Sequence, residues 1–286
     1  MLTIDPSQIS TADLHGYLLS AVAPRPIAFA STIDQKGNPN LSPFSFFNVF
    51  SANPPILIFS PARRVSNNTT KHTLSNVLEV KEVVINVVNY AMVHQASLAS
   101  TEYPAGVNEF DKAGFTMLAA ETIRPFRVAE SPIQIECKVL EVKALGEEGG
   151  AGNLVICEVL KMHISKTVLS SDGRIDQRQL DLVARAGGSF YSRAKSGFFE
   201  IPKPLRTLGL GVDQLPADIK NSTVLTGNDL GMLANVEQLP SAVDVDNFVA
   251  DNPEFSSKNS VERHKFAQRF LAQQDLVSAW KVLLIK

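Results

Sequence analysis

Two strand-like runs joined by a glycine-rich loop constrain the fold more than any other feature of this chain. Residues 133–142, IQIECKVLEV, alternate in character, so every second residue from Ile133 to Val139 shares one apolar face. The loop GEEGGAG follows, and residues 153–164, NLVICEVLKMHI, read as the returning strand. The pattern predicts an antiparallel hairpin at the centre of a β-sheet domain.

Shorter strand-like runs precede this hairpin. IAFASTI, the turn residues DQKGNP and LSPFSFFNVFSA predict a second hairpin, and PPILIFSP and EVVINVVN predict two further strands. TTKHTLSNVLEV reads as a helix capped by Thr69 or Thr70, and AMVHQASLAST reads as another. Many short antiparallel strands with helices between them predict a mainly β fold with helices, in the form of a closed or nearly closed barrel.

The character of the chain changes after the segment ARAGGSFY. Residues 200–240 are rich in Pro, Leu and Gly, and residues 260–285 show the spacing of one or two amphipathic helices. We therefore predict a barrel domain over residues 1–199 and a mainly helical extension over residues 200–286, packed on the barrel.

Charge and cysteine content narrow the function classes. Lys and Arg number 27 and Asp and Glu number 29, so the net charge of −2 favours neither a nucleic-acid nor a membrane partner. The two cysteines form no disulfide framework and no zinc set, and buried reduced thiols are expected. The first residues lack the basic and apolar regions of a signal peptide, and no apolar run reaches membrane-span length. We expect a cytoplasmic protein.

Several common catalytic motifs are absent from the sequence. GLGVDQ lacks the third glycine of a dinucleotide fingerprint, and GEEGGAGN lacks the Lys-Ser/Thr of a phosphate-binding loop. There is no Gly-x-Ser-x-Gly elbow, and the five histidines do not pair at a metal-ligand spacing. These observations argue against a doubly wound dehydrogenase and a zinc hydrolase, and we expect no metal.

The segment SPFSFFNVFSANPP, residues 42–55, breaks its own alternation. Phe44 and Phe46 share one parity, but Phe47 follows directly and the apolar parity changes to Phe47 and Val49. A one-residue slip turns the later side chains to the other face, and β-bulges occur often beside binding sites. An ordinary barrel bulge among core phenylalanines explains the pattern equally well. In either case we expect the chain to bend between Phe46 and Asn48.

Four segments in order resemble the flavin reductase-like family, which includes flavoredoxins and proteins named nitrilotriacetate monooxygenase component B. They are APRPIAFASTID, NLSPFSFFNVFSANPP, FSPARR…TTKHTLSN and ARAGGSFY, and the resemblance covers roughly residues 20–195. It implies an FMN-binding split β-barrel that is antiparallel and Greek-key-like. It also implies a homodimer that binds FMN rather than FAD and takes NADH or NADPH as co-substrate.

The resemblance also implies positions for the cofactor. Ser45, Phe46, Phe47 and Asn48 would lie at the flavin ring, where backbone groups and the Asn48 amide can meet its polar edge. The other residues that the resemblance implies near the flavin are Ser31, Thr32 and Arg185.

The phosphate of FMN needs cations or helix amides. Lys71 and Thr73 stand at the start of a predicted helix, where a lysine and hydroxyls make a ready anion site. The family usually has Lys-Asp-Thr at this point, and this chain has His72 in place of the acid. Arg63 and Arg64 precede the helix across a polar loop, and we assign Arg64 to the phosphate.

The expected function is that of an FMN-binding oxidoreductase. Hydride would pass from NADH or NADPH to flavin N5, and no catalytic side chain is required because the cofactor supplies the chemistry. Reduced FMN would then be delivered to a separate partner monooxygenase. Two alternatives stay open: a flavoredoxin-like electron carrier that keeps its FMN bound, and a non-enzymatic flavin- or ligand-binding module.

Overall fold

The computed structural model describes residues 1–202, 204 and 207–285. The chain divides into two compact units, Met1–Phe199 and Glu200–Lys286. The first contains the strands described below, and the second is helical.

The strands of the first unit are mostly short. Seven of them form one antiparallel sheet, and the other four form two small two-stranded sheets. In chain order the strands are β1 (Ala28–Ile33), β2 (Pro39–Phe44), β3 (Phe47–Ala52), β4 (Pro55–Phe59), β5 (Glu82–Val87), β6 (Met117–Leu118), β7 (Arg127–Val128), β8 (Ile133–Ala144), β9 (Asn153–Ile164), β10 (Val183–Arg185) and β11 (Tyr191–Arg193).

The large sheet runs in the order β2-β1-β5-β8-β9-β4-β3. Its two edge strands, β2 and β3, are consecutive in the chain and are joined only by Ser45 and Phe46. The two edges therefore meet at this corner, and the sheet must curl round on itself to bring them together. Because β2 and β3 are not paired with each other, the barrel stays open between them. The expected split β-barrel is confirmed.

The β8–β9 hairpin is the long antiparallel pair that the sequence predicts. Its pairing runs from Ile133 opposite Ile164 to Ala144 opposite Asn153, with two register shifts along β8. Alternate side chains of the pair face the inner core, including the buried thiols Cys137 and Cys157. Burial raises the pKa of the Cys137 thiol to about 12, so it stays protonated and packs as a small apolar group.

Helices close both faces of the β1 end of the sheet. On one face, Leu74 and Val77 of the helix His72–Glu79 join the inner core. On the other face, Phe29 of β1 packs against residues of the helices Val93–Leu98 and Glu109–Ala113, such as Phe110. The helices of the first unit are α1 (Thr11–Ala21), α2 (His72–Glu79), α3 (Val93–Leu98), α4 (Glu109–Ala113) and α5 (Gln177–Leu180).

The predicted cap of α2 is wrong. The N-cap residue is Lys71, and its side chain makes no capping hydrogen bond. Thr69 and Thr70 lie in the preceding loop, where the Thr69 hydroxyl and the Thr70 carbonyl accept hydrogen bonds from Arg64. These two threonines hold an arginine in place instead of capping the helix.

The second unit has its own apolar core around Trp280, whose indole N–H donates to the Leu233 carbonyl at 3.1 Å. Thr226 caps the helix Gly227–Leu233 through a reciprocal capping box with Asp229. The amphipathic pattern of residues 260–285 forms two helices. The helices of this unit are α6 (Ala217–Lys220), α7 (Gly227–Leu233), α8 (Ala242–Asp251), α9 (Ser260–Ala272) and α10 (Leu276–Leu283).

Short 3-10 turns complete the secondary structure of the described residues. They are Pro6–Gln8, Tyr90–Met92, Lys166–Val168, Val212–Gln214 and Pro253–Phe255. None of the helices in the described ranges combines the length and the apolar character needed to cross a bilayer.

Candidate functional site

A polar pocket lies where the loop after β4 enters α2. Strand β2 forms one wall, the α2 entry and Arg64 form another, and residues 100–103 after α3 form a third. Two residues predicted from the sequence, Arg64 and Lys71, line this pocket together. The pocket therefore gathers two cations beside the N-terminus of an eight-residue helix, where backbone amides favour anions.

Lys71 is a half-buried cation that forms no direct ion pair with a described residue. Its ammonium lies 5.5 Å from the centroid of the Phe44 ring. Among the described residues, no carboxylate oxygen lies within the 4.0 Å ion-pair distance of its Nζ. Burial lowers the pKa of Lys71 and the neighbouring Arg64 lowers it further, whereas Glu102 raises it. Such a group gains stability when an anion enters the pocket.

Arg64 is fixed in direction by its own loop. Its Nη1 donates to the Thr69 hydroxyl and to the Thr70 carbonyl, both at 2.8 Å, and its Nε donates to Glu102 at 2.5 Å. The guanidinium is thus held at the pocket wall in a planar, multidentate arrangement of the kind that suits phosphate and carboxylate ligands.

The pocket also has a buried acidic wall. Glu109, at the start of α4, accepts from the Asn40 side-chain amide at 2.8 Å and from the backbone N–H of Leu41 at 3.0 Å. Burial raises the pKa of this carboxyl, against the effect of those hydrogen bonds. Glu109 therefore anchors β2 to α4 and fixes the wall from inside.

Thr73 lies behind the pocket and does not line it. Its side chain is fully buried, and its hydroxyl donates to the side-chain amide oxygen (Oδ1) of Asn40 at 2.7 Å. A chain of hydrogen bonds thus runs from Thr73 through Asn40 to Glu109. The structure gives Thr73 a supporting contact, and its predicted contact with the cofactor stays a prediction.

The segment 45–48 bends, but not as a bulge. Phe44 pairs with Ala28 of β1, and Phe47 pairs with Phe59 of β4, so the parity changes where the chain leaves one edge of the sheet for the other. The bend falls at Ser45 and Phe46. The expected bend, between Phe46 and Asn48, therefore begins one residue too far along the chain. It is a crossing between two edges of the sheet and not the expected bulge within one strand. The nearest register shift within a strand lies further on, between Val49 and Ser51.

The side chains of this bend divide between core and surface. Phe47 packs against the inner core, whereas Phe46 is 38% exposed, with its ring edge-to-face with His15. The exposed Asn48 uses its side-chain oxygen to accept from the Val49 N–H at 2.8 Å. The Phe46 carbonyl accepts from the Ser60 N–H at 2.9 Å, so part of the expected free backbone is already paired. Ser45 is half-buried within the bend.

Ser31 and Thr32 are buried within β1. Thr32 accepts a hydrogen bond from the Asn76 amide of α2 at 3.1 Å. The Ser31 hydroxyl is fully buried and has no partner in the described structure. Neither side chain lines the pocket, and their cofactor roles stay predictions.

Arg185 lies outside the lining of the pocket. It stacks over the Tyr191 ring at 4.6 Å, and its backbone pairs with that of Arg25 through two hydrogen bonds. The buried Arg25 in turn donates to the Val22 carbonyl at the end of α1 and to the Ala186 carbonyl. This end of β10 is therefore tied to α1 by one arginine while the other remains half-buried beside an aromatic ring.

The pocket also contains residues that the sequence analysis missed. Asn40 and Ser42 alternate along β2, and Glu102 and Glu109 stand in a segment that carries no periodic pattern. Asn40 and Ser42 could have been found from the sequence, because they alternate with Leu41 and so lie together on the opposite face of the strand. Nothing local marks Glu109, because a glutamate at the first position of a helix is usually solvated.

The fold and the site together define a split-barrel protein with a polar pocket, lined by Arg64 and Lys71, at the entry of α2. Residues 20–180, more than half of the chain, match the family described as flavin reductase like domain. This chain belongs to that family.

Individual relatives agree with this assignment. An uncharacterized protein of Halalkalibacterium halodurans is 34% identical over 194 residues, which are 67% of this chain and 92% of the relative. Nitrilotriacetate monooxygenase component B from Bacillus cereus is 28% identical and superposes over 70% of this chain and 98% of its own, with a TM-score of 0.66. Flavoredoxin of Desulfovibrio vulgaris, 20% identical, covers 71% of this chain and 98% of its own with a TM-score of 0.55, and shares the fold.

Proposed function

We propose that this chain binds FMN, holds its phosphate between Arg64 and Lys71, and acts as an NAD(P)H-dependent flavin reductase. The observation that carries the proposal is the half-buried Lys71 beside Arg64, without a carboxylate within ion-pair distance in the described residues. Two adjacent cations in one pocket repel each other, and a dianionic phosphate relieves that repulsion. Family membership supports a flavin as the ligand that carries the phosphate.

The residues present fit the cofactor in two further respects. The apolar side chain exposed at the bend is Phe46, whereas the Phe44 ring beside Lys71 is buried in the inner core. The bend at Ser45 and Phe46 follows Phe44 directly and joins the two edge strands of the sheet, β2 and β3. A ligand with a phosphate at one end and a flat apolar ring at the other requires this succession of surfaces.

In this proposal the protein binds and orients. Arg64 and Lys71 fix the phosphate, the Thr73–Asn40–Glu109 chain keeps their pocket in shape, and the 45–48 bend supports the ring. When bound, FMN supplies the redox chemistry by accepting hydride from NADH or NADPH. No side-chain acid or base is assigned to the reaction.

Dimerisation and a partner belong to the same proposal. Val49 and Phe50 on the edge strand β3 are 65% and 63% exposed, and an edge of this kind is commonly covered by another chain. A homodimer would cover it with a second copy. The likeness to nitrilotriacetate monooxygenase component B supports delivery of reduced FMN to a partner monooxygenase.

A titration with FMN tests the binding site. Wild-type protein is expected to bind FMN, and Lys71→Gln is expected to weaken FMN binding about tenfold or more, because a charge-assisted contact to the phosphate is lost. Riboflavin has no phosphate, so its affinity should stay the same in the variant. The matched control is Lys161→Gln, which removes a lysine that pairs with Glu121 and does not line the pocket. Absence of flavin binding by the wild-type protein contradicts the proposal.

A second measurement separates the reductase from a carrier. Oxidation of NADH or NADPH that continues with each addition of free FMN supports the reductase. The shared fold of flavoredoxin keeps an electron carrier as the second candidate. FMN that stays bound through gel filtration, is reduced once and does not turn over favours that carrier.

A further inference from the structure

The Glu102 carboxylate forms an ion pair with the Arg64 guanidinium. Its Oε1 lies 2.5 Å from the Arg64 Nε, and the two side chains are 63% and 20% exposed respectively. Arg64 also donates through Nη1 to the Thr69 hydroxyl and the Thr70 carbonyl, which belong to the same loop as Arg64. Of the Nε–Nη2 edge that the loop leaves free, the carboxylate thus takes Nε, and Nη2 makes no hydrogen bond in the described structure.

The same carboxylate acts on the second cation of the pocket. Glu102 raises the pKa of Lys71, whereas burial and Arg64 lower it. Glu109 also lines the pocket, but its two oxygens already accept from Asn40 and from the Leu41 N–H. Within the described residues, Glu102 is thus the acid that offsets the charge of both cations. A bound phosphate would offset the same two charges.

Little else holds the Glu102 side chain. Its carboxylate makes no further hydrogen bond in the described structure, and the neighbouring backbone is held by turn contacts such as the Thr101 N–H to the Leu98 carbonyl. Ser100, Thr101 and Tyr103 line the pocket beside it. The side chain can therefore leave Arg64 by rotating into solvent without breaking a buried contact.

We propose that Glu102 takes the place of the ligand's phosphate on Arg64, and that a phosphate must displace it to bind the Nε–Nη2 edge of the guanidinium with two hydrogen bonds. This inference rests on the proposed function, because it takes the Arg64–Lys71 pocket as the phosphate site. Glu102 then sets the affinity for ligands by their phosphate group. It opposes FMN, which must break the ion pair, and leaves riboflavin unaffected, because riboflavin carries no group that competes for Arg64.

The expected size of the effect follows from the exposure of the pair. An ion pair with one largely exposed partner is weak, so removing the charge of Glu102 should tighten FMN binding about two- to fivefold. The ratio of FMN to riboflavin affinity should rise by the same factor. A merely structural role for Glu102 would change both affinities together or neither.

Calorimetric titration of the full chain with FMN and with riboflavin tests the inference in the Glu102→Gln variant. The matched control is Glu121→Gln, since Glu121 is also exposed and ion-paired, with Lys161 at 2.8 Å, and does not line the pocket. Tighter FMN binding in Glu102→Gln, with riboflavin binding and the control unchanged, supports the inference.

The outcomes separate the two proposals. If wild-type protein binds FMN and Glu102→Gln leaves its affinity unchanged or weakens it, the displacement is refuted and the proposed function stands. An equal change in FMN and riboflavin affinity refutes it as well. If wild-type protein binds neither flavin, the proposed function falls, and the displacement falls with it.

Discussion

At the scale of single residues, the proposed phosphate site depends on the charge of Lys71. Burial and then Arg64 lower the pKa of this lysine from its ordinary value of 10.5, and a bound phosphate would favour the charged form again. FMN affinity should therefore be constant while Lys71 is protonated and should fall as the pH rises through its lowered pKa. Above pH 7 the phosphate is already dianionic, so its own titration does not interfere.

The measurement is the dissociation constant of FMN at a series of pH values above 7. Wild-type protein should show an alkaline decline that is absent from Lys71→Gln, whose affinity is weak throughout. Parallel profiles for the two proteins would mean that another group titrates, and Lys71 would then not be the cation on the phosphate.

A second residue prediction concerns Glu136, which is fully buried on the outer side of β8. Burial raises the pKa of this carboxyl, but hydrogen bonds from the Thr122 hydroxyl, the Glu121 and Thr122 N–H groups and His163 outweigh it and lower the pKa from 4.5 to about 2. The folded-state pKa lies below the ordinary one. The carboxylate therefore contributes stability fully above about pH 4.5 and loses it as the pH falls toward 2.

Glu136→Gln should lower the free energy of unfolding at pH 7 by about 3 kcal/mol. The reason is that the NH2 group of the glutamine would face the hydrogen-bond donors that surround the carboxylate. The difference from wild type should shrink between pH 4.5 and pH 2, which denaturant unfolding at several pH values measures. Glu121→Gln, at an exposed position, should change the free energy of unfolding much less than Glu136→Gln does. A difference that does not depend on pH would contradict the assignment of the charge to Glu136.

Local sequence patterns predict some of these candidate functional and buried residues and miss others. Lys71 and Arg64 could be found because a lysine at a helix start and an arginine in the loop before it are local patterns. Glu136 could not, because a glutamate at an outward position of an alternating strand looks solvated. It is buried by Thr122 and His163, which lie 14 and 27 positions away in the chain. Burial by distant segments leaves no local trace.

At the scale of elements, the break in SPFSFFNVFSANPP acquires a structural meaning. The sequence contains the parity change between Phe46 and Phe47, from which we predict a bend between Phe46 and Asn48. It does not contain the pairing partners, β1 before the bend and β4 after it. A bulge within one strand and a crossing between two edges have the same local pattern, so only the tertiary pairing separates them.

The start of α2 supplies a prediction at this scale. Thr73 holds the helix to β2 through the buried hydrogen bond from its hydroxyl to Asn40. Thr73→Val keeps the shape but leaves the Asn40 oxygen without that donor, so the free energy of unfolding should fall by about 1–3 kcal/mol. Thr73→Ser keeps the hydroxyl and should retain most of the stability. Chemical denaturation of the three proteins measures this order, and a valine variant as stable as wild type would contradict it.

At the scale of the whole molecule, the two compact units differ in how far they could be foreseen. The alternating strands of the first unit predict a barrel from local pattern, and the family resemblance supplies its topology. In the second unit the paired helices after residue 260 and the cap at Thr226 are local signals. The gathering of Leu233, Leu271 and Trp280 into one core depends on contacts between helices far apart in the chain.

The candidate flavin site lies entirely within the first of the two compact units. The pocket residues and the 45–48 bend all lie within Met1–Phe199, and the H. halodurans relative matches 67% of this chain with 92% of its own length. A barrel of this length with its own core should fold without the second unit. A chain ending at Phe199 is therefore expected to unfold cooperatively and to bind FMN with an affinity within about twofold of the full chain.

Thermal unfolding followed by circular dichroism, and FMN titration of the shortened and full chains, measure both expectations. Lys71→Gln in the shortened chain serves as the control, since it should weaken FMN binding there as it does in the full chain. If the shortened chain folds but loses FMN while the full chain binds it, residues after Phe199 take part in binding, and the site is larger than the pocket at α2. If FMN binding is equal in both, the function of the helical unit must be sought in steps other than flavin binding.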